Sequence, residues 1–272
     1  DVILKGAFWW TIVPQNCDRV LIDHVRLAGS RVGNDDGVDP CNSSNITVRN
    51  CFFRTDDDAI SPKGITRQGG EKLSKSVEDC VFWVDFANVF RIATESSCPA
   101  IRNFTARNID VIHFPNRNQV QIFWLHPTGE MVMENLTFDN IKINGEIPYN
   151  LIKLTPALNL VGTRPIKQPT PNNIKVGSGR RGIGSRGYGE FVVVPSNGPF
   201  IHNVTFRNIS TYGGETAYCN ERGFVLLQGI DEEHDVSNIT FDKVSYFGNV
   251  IDGENSKVKK NQYVKHVRFI KE

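Results

Sequence analysis

Asn135-Leu136-Thr137-Phe138-Asp139-Asn140-Ile141-Lys142-Ile143 alternates apolar and polar side chains almost from end to end. That period of two is the mark of a strand with one buried face, and it lacks the i, i+3, i+4, i+7 spacing of a helix. The phrase recurs along the chain as NITVRNC from Asn45, NFTARNIDV from Asn103, NVTFRNIS from Asn203 and NITFDKVS from Asn238. Looser copies stand at Asp18 (DRVLIDHVRL), Ser76 (SVEDCVF) and Lys265 (KHVRFIK). With Val20, Ile46, Val77, Phe104, Leu136, Val204, Ile239 and Val267 as markers, most intervals are about 26 to 35 residues. Repetition at such a period indicates a solenoid. The alternation makes it a solenoid of strands: an all-β, right-handed parallel β-helix, single-stranded, in which Val, Ile, Phe and Thr fill the strands. Asn and Gly take the sharp corners, where unusual backbone angles are needed.

The repeat also explains several secondary features. Asn42, Asn45, Asn103, Asn135, Asn203, Asn208 and Asn238 match the N-x-T/S glycosylation pattern, yet a corner Asn followed by a strand Thr produces the same text. Cys51 and Cys80 fall at matching places in successive copies, which reads as an internal stack of small side chains in preference to a disulfide. The six cysteines are too sparse for a disulfide scaffold and lack zinc-site spacing. A net charge of +1 gives no drive toward nucleic acid, and no apolar run is long enough to span a membrane. Residues 1–272 read as one domain that starts mid-fold, with earlier N-terminal coils expected to be missing. Its longest gap between markers holds a Gly- and Pro-rich basic loop at about 164–189, read as a solvated loop or a cover over a groove. Glu232-Glu233-His234 reads as a surface turn, and the scattered histidines suit no triad or metal site.

Two acidic clusters carry the chemistry: Asn34-Asp35-Asp36-Gly37-Val38-Asp39 and Thr55-Asp56-Asp57-Asp58-Ala59-Ile60. Six Asp within 25 residues crowd like charges that raise one another's pKa. Asp36 and Asp57 are 21 residues apart, about one short coil, so they are expected on adjacent coils roughly 4.8 Å apart. One carboxyl to protonate a leaving oxygen and another to activate water is what glycoside hydrolysis requires. The same oxygens could instead decorate coil corners or hold calcium.

At these residues the chain resembles glycoside hydrolase family 28, the polygalacturonase family of parallel β-helices. Phe8-Trp9-Trp10-Thr11-Ile12 with Cys17 resembles the family's F-W-T-I-H-P…C. Asn34 to Asp39 resembles N-T-D-G-x-D, and Asp56 to Ile60 resembles G-D-D-C-I, so that residues 7 to 64 align in spacing. The resemblance implies Asp36, Asp57 and Asp58 as the acidic triad, inversion at the anomeric carbon, and neither metal nor cofactor. Within the family the positions of Asp36 and Asp57 are usually assigned to the water-activating set and that of Asp58 to the acid or its partner, and the roles carry over to this chain as a group. The departures concern specificity. Asp35, Asp56 and Ala59 replace Thr, Gly and Cys. Asn88 stands at the family's His, and Gln121 and Phe123 stand where Arg and Lys would grip a galacturonate carboxylate. A second registration puts Arg91 on that Arg and Ala93 on the Lys.

The expected substrate-binding residues are therefore Asn34, Lys63, Asn88, Arg91 and Gln121, with Trp9, Trp10, Trp83 or Trp124 available to stack on sugar or to fill core. Without the paired cations, polygalacturonate is a poor fit and an altered specificity is expected. The chain reads as a monomer acting on a polysaccharide or oligosaccharide, secreted or periplasmic because such polymers lie outside cells. Two rivals remain: a calcium-dependent lyase acting on a uronate polymer, and a catalytically silent carbohydrate-binding β-helix.

Overall fold

The computed structural model describes residues 1–29, 32–65, 72–93, 95–96, 98–114, 121–127, 131–144, 152–154, 200–212, 225–246, 248–254 and 258–272. The basic stretch 164–189 and Cys219 lie outside them. Among the described residues all regular structure is strand, arranged as one sheet of twelve strands and one of five. Pairing is parallel throughout except for the small Ser245↔Val250, Tyr246↔Asn249 contact.

The repeated phrase forms the long strands Lys72–Val84, Ala100–His113, Val132–Asn144, Phe200–Tyr212 and Val236–Tyr246, each paired with the next. Earlier in the chain the same path is split, Ser44–Arg49 and Phe52–Thr55 both pairing with Lys72–Val84. After each long strand the chain turns and enters the smaller sheet, of which Phe90–Ile92, Phe123–Leu125, Ile152–Leu154, Val225–Leu227 and Val258–Lys260 are the rungs. Isolated bridges Ile12↔Val38↔Ile60↔Phe90 extend that smaller sheet toward the N-terminus.

Two residues per repeat hold the left-handed backbone conformation, five positions apart. The first ladder runs through Asn45, Asn103, Asn135, Asn203 and Asn238, with φ between 54° and 61°. The second runs through Asn50, Asn108, Asn140 and Asn208, with φ between 51° and 54°. Asn tolerates this region better than other side chains that carry a Cβ, because its short amide can bond locally. Here the amides also bond along the axis: Asn135, Asn203 and Asn238 donate to the preceding ladder member at 3.3, 3.2 and 3.1 Å. The N-x-T text is thus the sequence of a bent, laddered strand.

Register is near constant. Val20, Ile46, Phe104, Leu136, Val204, Ile239 and Val267 fall in one column, as the spacing predicts. The third copy differs: Lys75, not Val77, pairs with Ile46 and Phe104, and Val77 sits two places on, against Val48 and Ala106. A buried lysine in an otherwise apolar column hid the true marker. Two places along, Phe138, Phe206, Phe241 and Phe269 stack with centroids 5.1 to 5.5 Å apart and planes within 16°. Offset stacking of this kind adds about 0.5–1.5 kcal/mol per pair beyond area burial. The five described cysteines are free, Cys51 and Cys80 buried with their thiols facing the carbonyls of Arg49 and Glu78. His234, expected at the surface, is buried: its amide and ring Nδ1 lie 2.9 and 2.6 Å from Asp231 Oδ1, which draws the turn inward.

Candidate functional site

The acidic residues lie where the long strands give way to the smaller sheet. Asp56-Asp57-Asp58 follows directly on Phe52–Thr55, and Asp35-Asp36 occupies the matching turn one repeat earlier. Thr11, Gly37, Ala59 and Val89 donate their amides in turn to the carbonyls of Asp36, Asp58, Asn88 and Gln121, at 3.0, 2.9, 2.9 and 3.4 Å. Asp36, Asp58, Asn88 and Gln121 are therefore one column on successive repeats. Gly37 is required by the closeness of that stack, since a Cβ there would lie 2.4 Å from the Ala59 carbonyl oxygen.

Within this frame one oxygen from each of Asp36, Asp57 and Asp58 lies within 4.8 Å of the others. Asp36 and Asp58 are each 2% exposed, whereas Asp57 is half-buried and offers the accessible edge of the cluster. Asp58 is held on all sides: Oδ1 accepts the Asn88 amide at 3.0 Å and its side-chain amide at 2.7 Å, and Oδ2 accepts Arg91 at 3.3 Å. Asp57 Oδ2 accepts the backbone and side-chain amides of Asn34 at 3.1 and 3.3 Å, and its Oδ1 accepts the Asp58 amide at 2.9 Å. Asp35, fully buried, braces the turn by accepting the amides of Asp56 and Asp57 at 2.7 and 3.0 Å.

Burial and mutual repulsion set the electrostatics. The Asp57 carboxyl is pushed up to about 6, first by burial and then by the Asp58 charge, against the pull of Arg91. Asp36 is raised much further, again by burial first and then by Asp39 and Asp58, with Lys63 opposing. Its Oδ1 is buried without a hydrogen-bond partner among the described residues.

The residues read as substrate ligands divide. Asn34 and Asn88 are committed to Asp57 and Asp58, so both orient the acids. Arg91 is 22% exposed at its side chain, bonded to Asp58 and lying 4.6 Å from the Trp124 ring centroid. Gln121 is 1% exposed; its amide donates to Asn88 Oδ1 at 2.8 Å. Phe123 is core. Lys63 is 2% exposed, with its ammonium 2.8 Å from Asp39, 3.5 Å from Asp36, 3.7 Å from Glu95 and 3.7 Å from the Trp10 ring centroid. Of the tryptophans, Trp83 is laid between Arg54 and His113 with its indole donating to Asp85 at 3.0 Å, and Trp9 is 52% exposed. Asp39 and Glu95 were not singled out by the sequence as site residues, although Asp39 is the last position of the N-T-D-G-x-D resemblance.

A hyperthermoactive exopolygalacturonase from Thermotoga maritima matches 99% of this chain and 51% of its own, with a TM-score of 0.58 at 17% identity. A family 28 exopolygalacturonase from Yersinia enterocolitica matches 97% of this chain and 44% of its own, with a TM-score of 0.59 at 12% identity. The fold is one that exopolygalacturonases share. The chain spans about half the length of each. No protein-family model and no curated protein matches the sequence.

Proposed function

We propose that this chain is a right-handed parallel β-helix and a divergent relative of family 28 that hydrolyses glycosidic bonds in a polysaccharide by an inverting acid/base mechanism. The observation that carries the reading is the convergence of Asp36, Asp57 and Asp58, from two adjacent repeats, with one oxygen of each inside 4.8 Å. In the step itself, water attacks the anomeric carbon and gives its proton to one carboxylate. A protonated member of the triad gives its proton to the departing glycosidic oxygen. Asp57, the least buried and raised to about 6, is the member best able to exchange a proton with a bound chain. One oxygen of each acid lies closer to the others than the roughly 6.5–9.5 Å usual between inverting carboxyl groups, so inversion rests here on the family resemblance and is tested by the anomeric configuration of the first product.

Specificity is altered from polygalacturonate in this reading. Gln121 and Phe123 are buried and Asn88 is spent on Asp58, which leaves Arg91, stacked on Trp124 and 22% exposed at its side chain, as a partly exposed cation beside the triad among the described residues. A single half-committed guanidinium suits neutral or sparsely charged sugars better than a uronate at every position. The protein acts as a monomer outside the cytoplasm, where its polymer lies.

The deciding experiment is a reducing-sugar screen across neutral and acidic glycans with the wild type and Asp36→Asn, Asp57→Asn and Asp58→Asn. Turnover on at least one glycan, nearly lost in each variant while the fold survives, is expected; near-normal rates in any variant would refute the triad. Three oxygens this close also suit a divalent cation, which favours a calcium-dependent lyase as the second reading. An ultraviolet-absorbing unsaturated product, abolished by chelator, would select it.

A further inference from the structure

We propose that Lys63 is a positioning residue for the reaction, a buried counter-ion that fixes Asp36 beside Asp57 and Asp58 without touching substrate. The inference rests on the reading of those three acids as the reacting groups. Lys63 pairs in register with Cys41 on the previous repeat, and its amide donates to the Pro40 carbonyl at 3.0 Å. From there its side chain reaches back to the level of Asp36 and Asp39. One ammonium thus faces three carboxylates, those of Asp39, Asp36 and Glu95, and the Trp10 ring lies over it at 3.7 Å. Cys41, buried nearby, and Asp57 and Asp58 beyond Asp36 are further titratable groups that feel this cluster.

The arrangement excludes a ligand role on geometry. A cation that binds a sugar carboxylate must present a free donor, whereas this one is 2% exposed and surrounded by anions and an aromatic face. It explains how Asp36 can be buried and still placed. Asp36 Oδ1 has no hydrogen-bond partner among the described residues, and Asp36 is held from this side by the 3.5 Å contact of Oδ2 with Lys63 and by the side chain of Asp39, which the same ammonium fixes at 2.8 Å. Removal of the ammonium leaves Asp36, Asp39 and Glu95 crowded in a closed space without their shared cation, and Asp36 loses the contact that holds its Oδ2.

The test compares wild type, Lys63→Met and the double variant Asp39→Asn with Lys63→Met, by kcat and KM separately on whichever glycan the wild type cleaves. Methionine keeps the stem length and removes the charge. A fall in kcat on the order of 100-fold with KM nearly unchanged is expected from misplacement of one reacting group. The double variant, with one charge of each sign removed, should recover at least about tenfold of that loss through restored balance. A raised KM at normal kcat would make Lys63 a substrate ligand and overturn the proposal. Unchanged kinetics, or a double variant no better than the single one, would overturn it equally. Should Lys63→Met fail to fold, the double variant is compared with the wild type directly, and a kcat loss beyond about 100-fold counts against restored positioning. Absence of turnover by the wild type on every glycan would sink the hydrolase reading and this inference together, which separates that outcome from a Lys63-specific failure.

Discussion

Replacing Asp57 by Asn should abolish turnover and at the same time stabilise the protein at neutral pH. In the folded chain the Asp57 carboxyl is raised from 3.8 to about 6 by burial and by the Asp58 charge. Two pH units correspond to about 3 kcal/mol of unfavourable free energy that the ionised group imposes on the native state above that range. Asparagine removes the charge but keeps one acceptor oxygen, so it forfeits either the Asp58 amide at 2.9 Å or the Asn34 donors at 3.1 and 3.3 Å. That loss is worth about 1 kcal/mol, which leaves a net gain of about 2 kcal/mol. The sign follows from proton counts. Between about 4 and 6 the native state binds more protons than the unfolded chain, so wild-type stability falls as pH rises through that window. Below about 4 the carboxyl is protonated in both states and the advantage of Asn disappears. Urea denaturation at pH 7.5 and pH 4, followed by tryptophan fluorescence beside a reducing-sugar assay, measures all of this. A variant less stable than wild type at pH 7.5, or one with the same gain at both pH values, would refute the reasoning.

Arg91→Gln removes the charged donor 3.3 Å from Asp58 and should lower kcat/KM on the order of 10- to 100-fold, read in steady-state kinetics; an unchanged value removes Arg91 from the site. Asn88→Asp sets a second carboxyl where an amide now lies 2.7 Å from Asp58 Oδ1, a repulsion of about 6 kcal/mol at an effective dielectric near 20. The new pair should hold a shared proton above the usual carboxylate range, so melting temperatures measured across pH should fall more steeply toward neutrality than in wild type. Phe138→Ala opens a cavity in the aromatic stack beside Phe123 and Phe206 and should cost about 3–5 kcal/mol by urea titration. Treatment with EDTA should leave hydrolysis intact; loss of activity restored by calcium would favour the lyase.

The strands were legible because one short phrase states everything a repeat needs: an Asn for the left-handed corner, then alternation for the buried face. Asn45, Asn103, Asn135, Asn203 and Asn238 sit where the text puts them. The third copy was misplaced by two residues because Lys75 stands at a core position, and an apolar pattern cannot flag a charged member. The acids were legible as a group, since their separation matches one turn of chain. Their partners were not. Asn88 lies 30 residues from Asp58, and Arg91 and Trp124 meet only through a register between repeats of unequal length. The burial of Lys63 was equally hidden, because it depends on Trp10, from two repeats earlier, and Glu95, from the repeat that follows.

Leu136 and Val204 are direct register partners although 68 positions separate them, more than twice the 32 between Phe104 and Leu136. Closing a loop about twice as long costs only about 0.6 kcal/mol more in chain entropy. Parallel stacking fixes where the polypeptide must re-enter and is nearly indifferent to how far it has wandered in between. The interval between Leu154 and Phe200 is therefore where such a protein can gain or shed sequence during evolution, or accept a grafted module, with the paired rungs left undisturbed.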